Sequence, residues 1–131
     1  MTQKEITVVF YRRNYPRKDW KATEIDETAV RNLLDRAKQE MAVYGITLND
    51  VVAEDMVMDI NSYGDILNAV RLQSPADGIL NLCLGHVIGA SPNCNLAEDL
   101  ERGISRVAFA PETIQPEDHN RKVCHNCGCG C

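Results

Sequence analysis

The sequence predicts one α/β domain with a mainly parallel four-stranded sheet in the order βαβαβαβ, followed by a cysteine-rich C-terminal tail. Two observations predict the domain: short β-branched runs alternate with stretches of helical apolar spacing, and glycine or proline separates them. Such alternation favours parallel strands joined by right-handed crossovers. We expect a flavodoxin-like or Rossmann-like three-layer sandwich. A thioredoxin-like arrangement, suggested by Ser74-Pro75 before the third strand, is the alternative.

The first strand and the first helix carry the clearest local signals. Residues 6–11 are β-branched and aromatic, which predicts a buried strand. After Asp26 the apolar residues recur at intervals of three and four, which predicts a helix that ends at Gly45. Residues 46–53 alternate loosely between apolar and polar, so they predict a second strand that returns beside the first.

The second half of the domain continues the same pattern. Residues 62–72 predict a short amphipathic helix, and the apolar run 78–85 predicts a central strand covered on both faces. Asn95 can cap a third short helix that Gly103 ends, and residues 104–110 then predict a fourth strand. We expect the domain to occupy residues 1–111, with an extended arm over residues 112–131.

Size and charge limit the functional classes. The chain has 131 residues, about the size of one domain, and its formal net charge of −5 disfavours a nucleic-acid binder that depends on phosphate contacts. No run of the chain approaches the roughly 20 apolar residues of a membrane span, and the opening residues lack a signal-peptide core. We expect a cytoplasmic protein that contacts neither nucleic acid nor membrane.

A basic and aromatic segment follows the first strand. It contains Tyr11, Arg12, Arg13, Tyr15, Arg17, Lys18, Trp20 and Lys21. Such a segment could bind an acidic partner or an anion, or it could be a solvated loop.

The C-terminal cysteines predict a thiolate site for a soft metal. Cys124, Cys127, Cys129 and Cys131 have the spacing C-x-x-C-x-C-x-C, and His125 lies inside the motif as a further possible ligand. Cysteines two residues apart can face one ion, and the intervening glycines allow a tight wrap. Thiolates favour zinc, copper(I) or the iron of an iron–sulfur cluster, while planar nickel(II) or copper(II) also fits the C-G-C repeats.

Cys83 and Cys94 form a second predicted group, with His86 between them. Cys83 ends a predicted strand and Cys94 closes the next loop, which is where parallel sheets bind ligands. We therefore predict both as cofactor-binding residues that the tail could join. The alternative for Cys83 is a buried apolar role, because free cysteine is among the most buried residue types.

The stretch from Cys83 through residues 95–100 to Val107 resembles the DsrE-type sulfur-relay proteins. These proteins place a cysteine at the end of a strand and follow it with an acidic, leucine-containing segment and a last strand. The resemblance covers about a fifth of the chain and does not include the tail. It implies a sulfur-relay activity.

Three functions therefore fit the sequence. The first is a cytoplasmic accessory or electron-transfer protein that carries a soft metal or an iron–sulfur cluster on its tail and serves a larger enzyme or an acceptor. The second is thiol or persulfide relay, or redox exchange, between tail and loop cysteines. The third is a structural subunit that docks through a zinc-bound tail. We expect an accessory protein rather than a stand-alone enzyme, and no catalytic residue is assigned.

Overall fold

The computed structural model describes residues 4–15, 26–61, 63–89 and 95–114, which form four strands and four helices. In chain order these are β1 (Lys4–Asn14), α1 (Glu27–Val43), β2 (Ile46–Asp59), α2 (Tyr63–Asn68), β3 (Val70–Ser74), β4 (Ile79–Cys83), α3 (Leu84–Ile88) and α4 (Leu96–Phe109). Short 3-10 turns occupy Pro75–Asp77 and Pro111–Thr113. Within the described ranges, no helix combines the length and the apolar character needed to cross a bilayer.

The four strands form one mixed sheet in the order β2-β1-β3-β4. β1 and β2 are parallel, whereas β3 is antiparallel to both of its neighbours. The prediction of a mainly parallel βαβαβαβ sheet of the flavodoxin-like or Rossmann-like kind is therefore wrong. Ser74 ends β3, and Pro75 begins the turn that leads into β4.

The lengths of the connections explain the mixed sheet. A parallel pair needs a crossover of a dozen or more residues, and α1, with 17 residues, supplies one between β1 and β2. α2 has only six residues and cannot carry the chain back along the sheet, so β3 starts where β2 ends and runs in the opposite direction. The 3-10 turn Pro75–Asp77 then joins β3 to β4 as a hairpin.

The first half of the domain agrees with the local predictions. Asp26 caps α1 by accepting a hydrogen bond from the Ala29 amide at 2.9 Å, and Gly45 follows the helix with a φ of 76°. β2 begins at the next residue and pairs in parallel with β1, as expected. The apolar face of α1 is buried and consists of Val30, Leu33, Leu34, Ala37 and Met41.

Two predictions for residues 62–85 are wrong. The predicted helix over residues 62–72 ends at Asn68, and β3 begins at Val70. The predicted central strand over residues 78–85 is β4, which lies at one end of the sheet, and its Leu80 side chain is 59% exposed.

The predicted third helix and fourth strand are one continuous helix, α4. Asn95 caps it as expected, accepting a hydrogen bond from the Glu98 amide at 3.0 Å. Gly103 does not end this helix but lies at a close contact, since a Cβ there would stand 2.4 Å from Leu84 Cδ1. The predicted strand over residues 104–110 is wrong, because these apolar residues continue the buried helical face that includes Leu100.

One arginine fixes the end of the described chain to the body. Arg106 on α4 donates to the Val87 carbonyl at 2.7 Å, and it reaches Thr113 through both the carbonyl at 2.6 Å and the hydroxyl at 3.0 Å. Ile114 is 7% exposed and belongs to the core. The chain is thus packed on the body as far as Ile114.

Candidate functional site

The predicted metal ligands lie outside the described residues. Cys124, His125, Cys127, Cys129 and Cys131 all fall after residue 114, and Cys94 falls between residues 89 and 95. Their assignment as ligands stays a prediction. Among the residues that the structure does describe, no three histidine, cysteine or acidic side chains gather closely enough to hold a metal ion.

Cys83, the described member of the predicted cysteine group, is fully buried. It is the last residue of β4 and the N-cap of α3, where its sulfur accepts a hydrogen bond from the His86 amide at 3.4 Å. The sulfur therefore has a structural contact at the strand–helix junction. His86 follows Cys83 within α3 and not in the predicted loop.

Arg71, which the sequence-based prediction missed, is fully buried beside Cys83. The two residues are register partners on β3 and β4, so their side chains share one face of the sheet. Arg71 Nε donates to the Asn68 carbonyl at 2.9 Å, and a terminal nitrogen donates to the Asn68 side chain. Its guanidinium carbon also lies 5.3 Å from the centroid of the Tyr11 ring. The only signal in the sequence was a single arginine inside an apolar stretch.

A second buried polar contact joins α2 to α4. Tyr63 donates its hydroxyl proton to Asp99 Oδ2 at 2.6 Å, and Arg102 lies 3.3 Å from the other oxygen of the same carboxylate. Asp99 is only 2% exposed, and these two donors provide hydrogen bonds to both of its carboxylate oxygens. This contact links the two helices.

A crevice of about 490 Å³ lies between the first half of α1 and the C-terminal half of β1. Its apolar residues are Phe10 from β1, Val30 and Leu34 from α1, and Val52 from β2. Val30 and Leu34 are buried, whereas Val52 is 58% exposed at the edge of the sheet. The volume lies within the usual range of small-molecule sites.

Charged side chains line the crevice above these apolar residues. Arg13 is paired with Glu27 at 2.7 Å. Arg31 makes a two-point contact with Asp50 at 3.0 and 3.2 Å, and Lys38 reaches the same carboxylate at 2.5 Å. These pairs neutralise both carboxylates of the lining.

The charged pairs shift the protonation equilibria in the crevice. The hydrogen bond from Arg31 lowers the pKa of Asp50, although burial of the carboxyl group acts in the opposite direction. The same contact raises the pKa of Arg31. Burial raises the pKa of Tyr15, while the charge of Arg13 opposes this shift. Asp50 therefore stays ionised to a lower pH than an unpaired aspartate would.

Part of the predicted basic and aromatic segment lies at this crevice. Arg12, Arg13 and Tyr15 line it, together with Tyr11. Arg12 is exposed and forms no ion pair with any residue in the described part of the chain. The remaining basic and aromatic residues of the segment, at positions 17, 18, 20 and 21, fall outside the described residues.

Comparison of the chain with protein-family models, with curated proteins and with solved structures gives no match. The resemblance to sulfur-relay proteins also included a last strand after the leucine-containing segment. In the structure that segment is the helix α4, which continues to Phe109.

Proposed function

We propose that the chain is a small cytoplasmic accessory protein that binds a soft metal ion or an iron–sulfur cluster through its C-terminal cysteines. The supporting observation is the spacing C-x-x-C-x-C-x-C over residues 124–131. Four thiolates can complete the tetrahedral ligand set that zinc and iron–sulfur clusters take in proteins. His125 is an alternative ligand inside the same motif.

The position of these cysteines in the chain favours a protein that transfers its bound metal, cluster or electron over one in which the metal is purely structural. Structural zinc sites usually draw ligands from two separated parts of a chain and so hold a fold together. Here four thiols lie within one short segment, residues 124–131. We therefore propose that the bound metal, cluster or electron passes to a protein partner, such as a larger enzyme or a metal or cluster acceptor.

Cytoplasmic location belongs to the same proposal. Four closely spaced thiols remain reduced and available as ligands in a reducing compartment, whereas an oxidising one would convert them to disulfides.

Thiol or persulfide relay is the second candidate, and the pairing of Cys83 with Arg71 favours it. A cation near a cysteine stabilises the reactive thiolate form, and Arg71 provides a fixed positive charge on the same face of the sheet. However, Cys83 is fully buried, so a sulfur donor could reach it only after the surrounding residues moved. The relay is therefore ranked below metal binding.

The test is to purify the protein without oxygen and to measure bound metals and acid-labile sulfide per chain. Three forms are compared: the full chain, a form truncated after Val123, and the variant Cys83→Ala. The truncated form removes the four tail cysteines, while Cys83→Ala removes the buried thiol and leaves the tail intact. A parallel sample of each form is alkylated to count its reactive thiols.

Metal binding by the tail predicts stoichiometric metal in the full chain and in Cys83→Ala, and none in the truncated form. Iron together with sulfide would identify a cluster, and zinc alone would direct attention to docking through a zinc-bound tail. Equal and negligible metal in all three forms would contradict the proposal. A thiol that reacts rapidly in the full chain and is lost in Cys83→Ala would then support the relay.

A further inference from the structure

We propose that the crevice between α1 and β1 is a binding site for a small monocarboxylate with an apolar or aromatic body, and that Arg12 pairs with the carboxylate. This site lies in the described body and is independent of the tail cysteines. The inference therefore goes beyond the proposed metal-binding function, and either one can fail without the other.

The position of the crevice in the sheet is the first argument. β1, α1 and β2 form a parallel β–α–β unit, and the crevice lies where the C-terminal half of β1 and the first half of α1 meet beside Asp50 and Val52 of β2. The β1–β2 register also shifts here, because Tyr11 pairs with Ala53 whereas Arg12 pairs with Val57. Irregularities of this kind redirect side chains and are common beside binding sites.

The apolar residues of the crevice indicate a ligand that has an apolar part as well as a charged group. Val30 and Leu34 form a buried base, and Phe10 is half-buried beside them. Val52 of β2 adds an exposed apolar side chain to the lining. A bare inorganic anion would leave this surface in contact with water, whereas an apolar body would cover it.

The charges of the lining residues determine which charge the ligand should carry. Among the described residues, three arginines and two carboxylates line the crevice, so these side chains carry one excess positive charge on a chain whose net charge is −5. Arg13 and Arg31 are held by Glu27 and Asp50, which leaves Arg12 as the lining cation without an ion pair in the described residues. One excess charge matches a monocarboxylate better than a phosphate dianion.

The cap of α1 makes the helix N-terminus a poorer site for the ligand's carboxylate. The Asp26 side chain accepts a hydrogen bond from the Ala29 amide and places a negative charge at this end of the helix. We therefore assign the ligand's carboxylate to Arg12, whose planar guanidinium can donate two parallel hydrogen bonds.

The test uses two probes of the same shape and different charge, 2-naphthoate and the neutral 2-naphthalenemethanol. Each is titrated into the ¹⁵N-labelled full-length protein, and the amide shifts are followed by NMR. For 2-naphthoate we expect saturable shifts in the C-terminal half of β1, the first half of α1 and the centre of β2. The neutral probe should bind about five- to tenfold more weakly, the size expected of a charge-assisted hydrogen bond at a partly exposed site.

Variants at exposed positions separate charge from fold. Arg12→Gln should weaken 2-naphthoate binding about five- to tenfold and leave the neutral probe unchanged. Arg36→Gln is the matched control, because Arg36 is an exposed arginine of α1 that does not line the crevice. Val52→Asp adds a negative charge to the exposed wall and should weaken 2-naphthoate more than the neutral probe.

Three results would overturn the proposal. One is the absence of localised shifts at millimolar 2-naphthoate. Another is equal affinity for the two probes in the wild type. The last is an equal loss of 2-naphthoate binding in Arg12→Gln and Arg36→Gln, which would mean that only the overall charge of the protein matters.

Discussion

Replacing Tyr63 by phenylalanine tests whether the contact between α2 and α4 stabilises the fold. The change removes only the hydroxyl group that donates to Asp99 at 2.6 Å. The aromatic ring keeps its place, so no large cavity forms, and the lost free energy reports on the hydrogen bond. Asp99 still accepts a hydrogen bond from Arg102 at 3.3 Å, so the variant removes one of the two hydrogen bonds and leaves the other in place.

The expected loss follows from the burial of both partners. Tyr63 is 8% exposed and Asp99 is 2% exposed, so water cannot easily replace the missing donor. Hydrogen bonds to charged groups contribute about 1.5–3 kcal/mol, and we expect the free energy of unfolding to fall by about 2 kcal/mol. For a domain of this size, that loss lowers the melting temperature by roughly 6–12 °C.

Urea unfolding, followed by circular dichroism, measures this loss directly. The matched control is Tyr44→Phe, because Tyr44 is 59% exposed and contacts Phe109 through its ring, which the substitution preserves. We expect the control to change stability by less than about 0.5 kcal/mol. If both variants unfold at the same urea concentration, the buried hydrogen bond does not contribute as argued.

Two further predictions concern packing and acid stability. Gly103→Val should destabilise the protein by about 3 kcal/mol in thermal unfolding, because its Cβ would meet Leu84 Cδ1, while Ser105→Val in the same helix should cost less than half as much. Asp50 has a lowered pKa, so the stability from its pairing with Arg31 is present above the unfolded pKa of about 3.9 and is lost as the pH falls through the folded value. Asp50→Asn should therefore be less stable than the wild type at pH 7, and the difference should shrink below pH 4 in urea titrations; a constant difference would contradict the assignment.

The elements that the sequence predicted well are those with strong local signals. α1 has a capping aspartate, a regular apolar stripe and a glycine after its last turn, and all three act within a few residues. The parallel pairing of β1 with β2 could be predicted because a helix long enough to return the chain along the sheet, with 17 residues, joins the two strands. These features require no knowledge of the rest of the fold.

The wrong predictions come from signals that depend on distant residues. Gly103 was expected to end a helix, but its missing Cβ makes room for Leu84 of α3, a neighbour that the local sequence does not identify. The direction of β3 depends on how little chain α2 provides for a return crossover. Periodicity alone could not separate the short α2 from β3, because both fall inside one apolar stretch.

The candidate sites divide in the same way. The cysteine motif of residues 124–131 is visible in the sequence because its ligands are neighbours in the chain. The charged residues of the crevice come together only in the folded chain, because they lie on α1, β1 and β2, where Glu27 pairs with Arg13 and Asp50 pairs with Arg31. The burial of Arg71 likewise depends on the pairing of β3 with β4.

The anchoring of the chain by Arg106 limits the distance between the tail and the body. Ile114 is held in the core, Cys124 is ten positions further along, and Cys131 is seventeen positions further along. A fully extended chain covers at most about 3.6 Å per residue, so Cys124 lies within roughly 36 Å of Ile114 and Cys131 within roughly 60 Å. The larger limit exceeds the diameter of roughly 35 Å expected for a domain of this length, so these thiols can reach an acceptor bound at any face of the body.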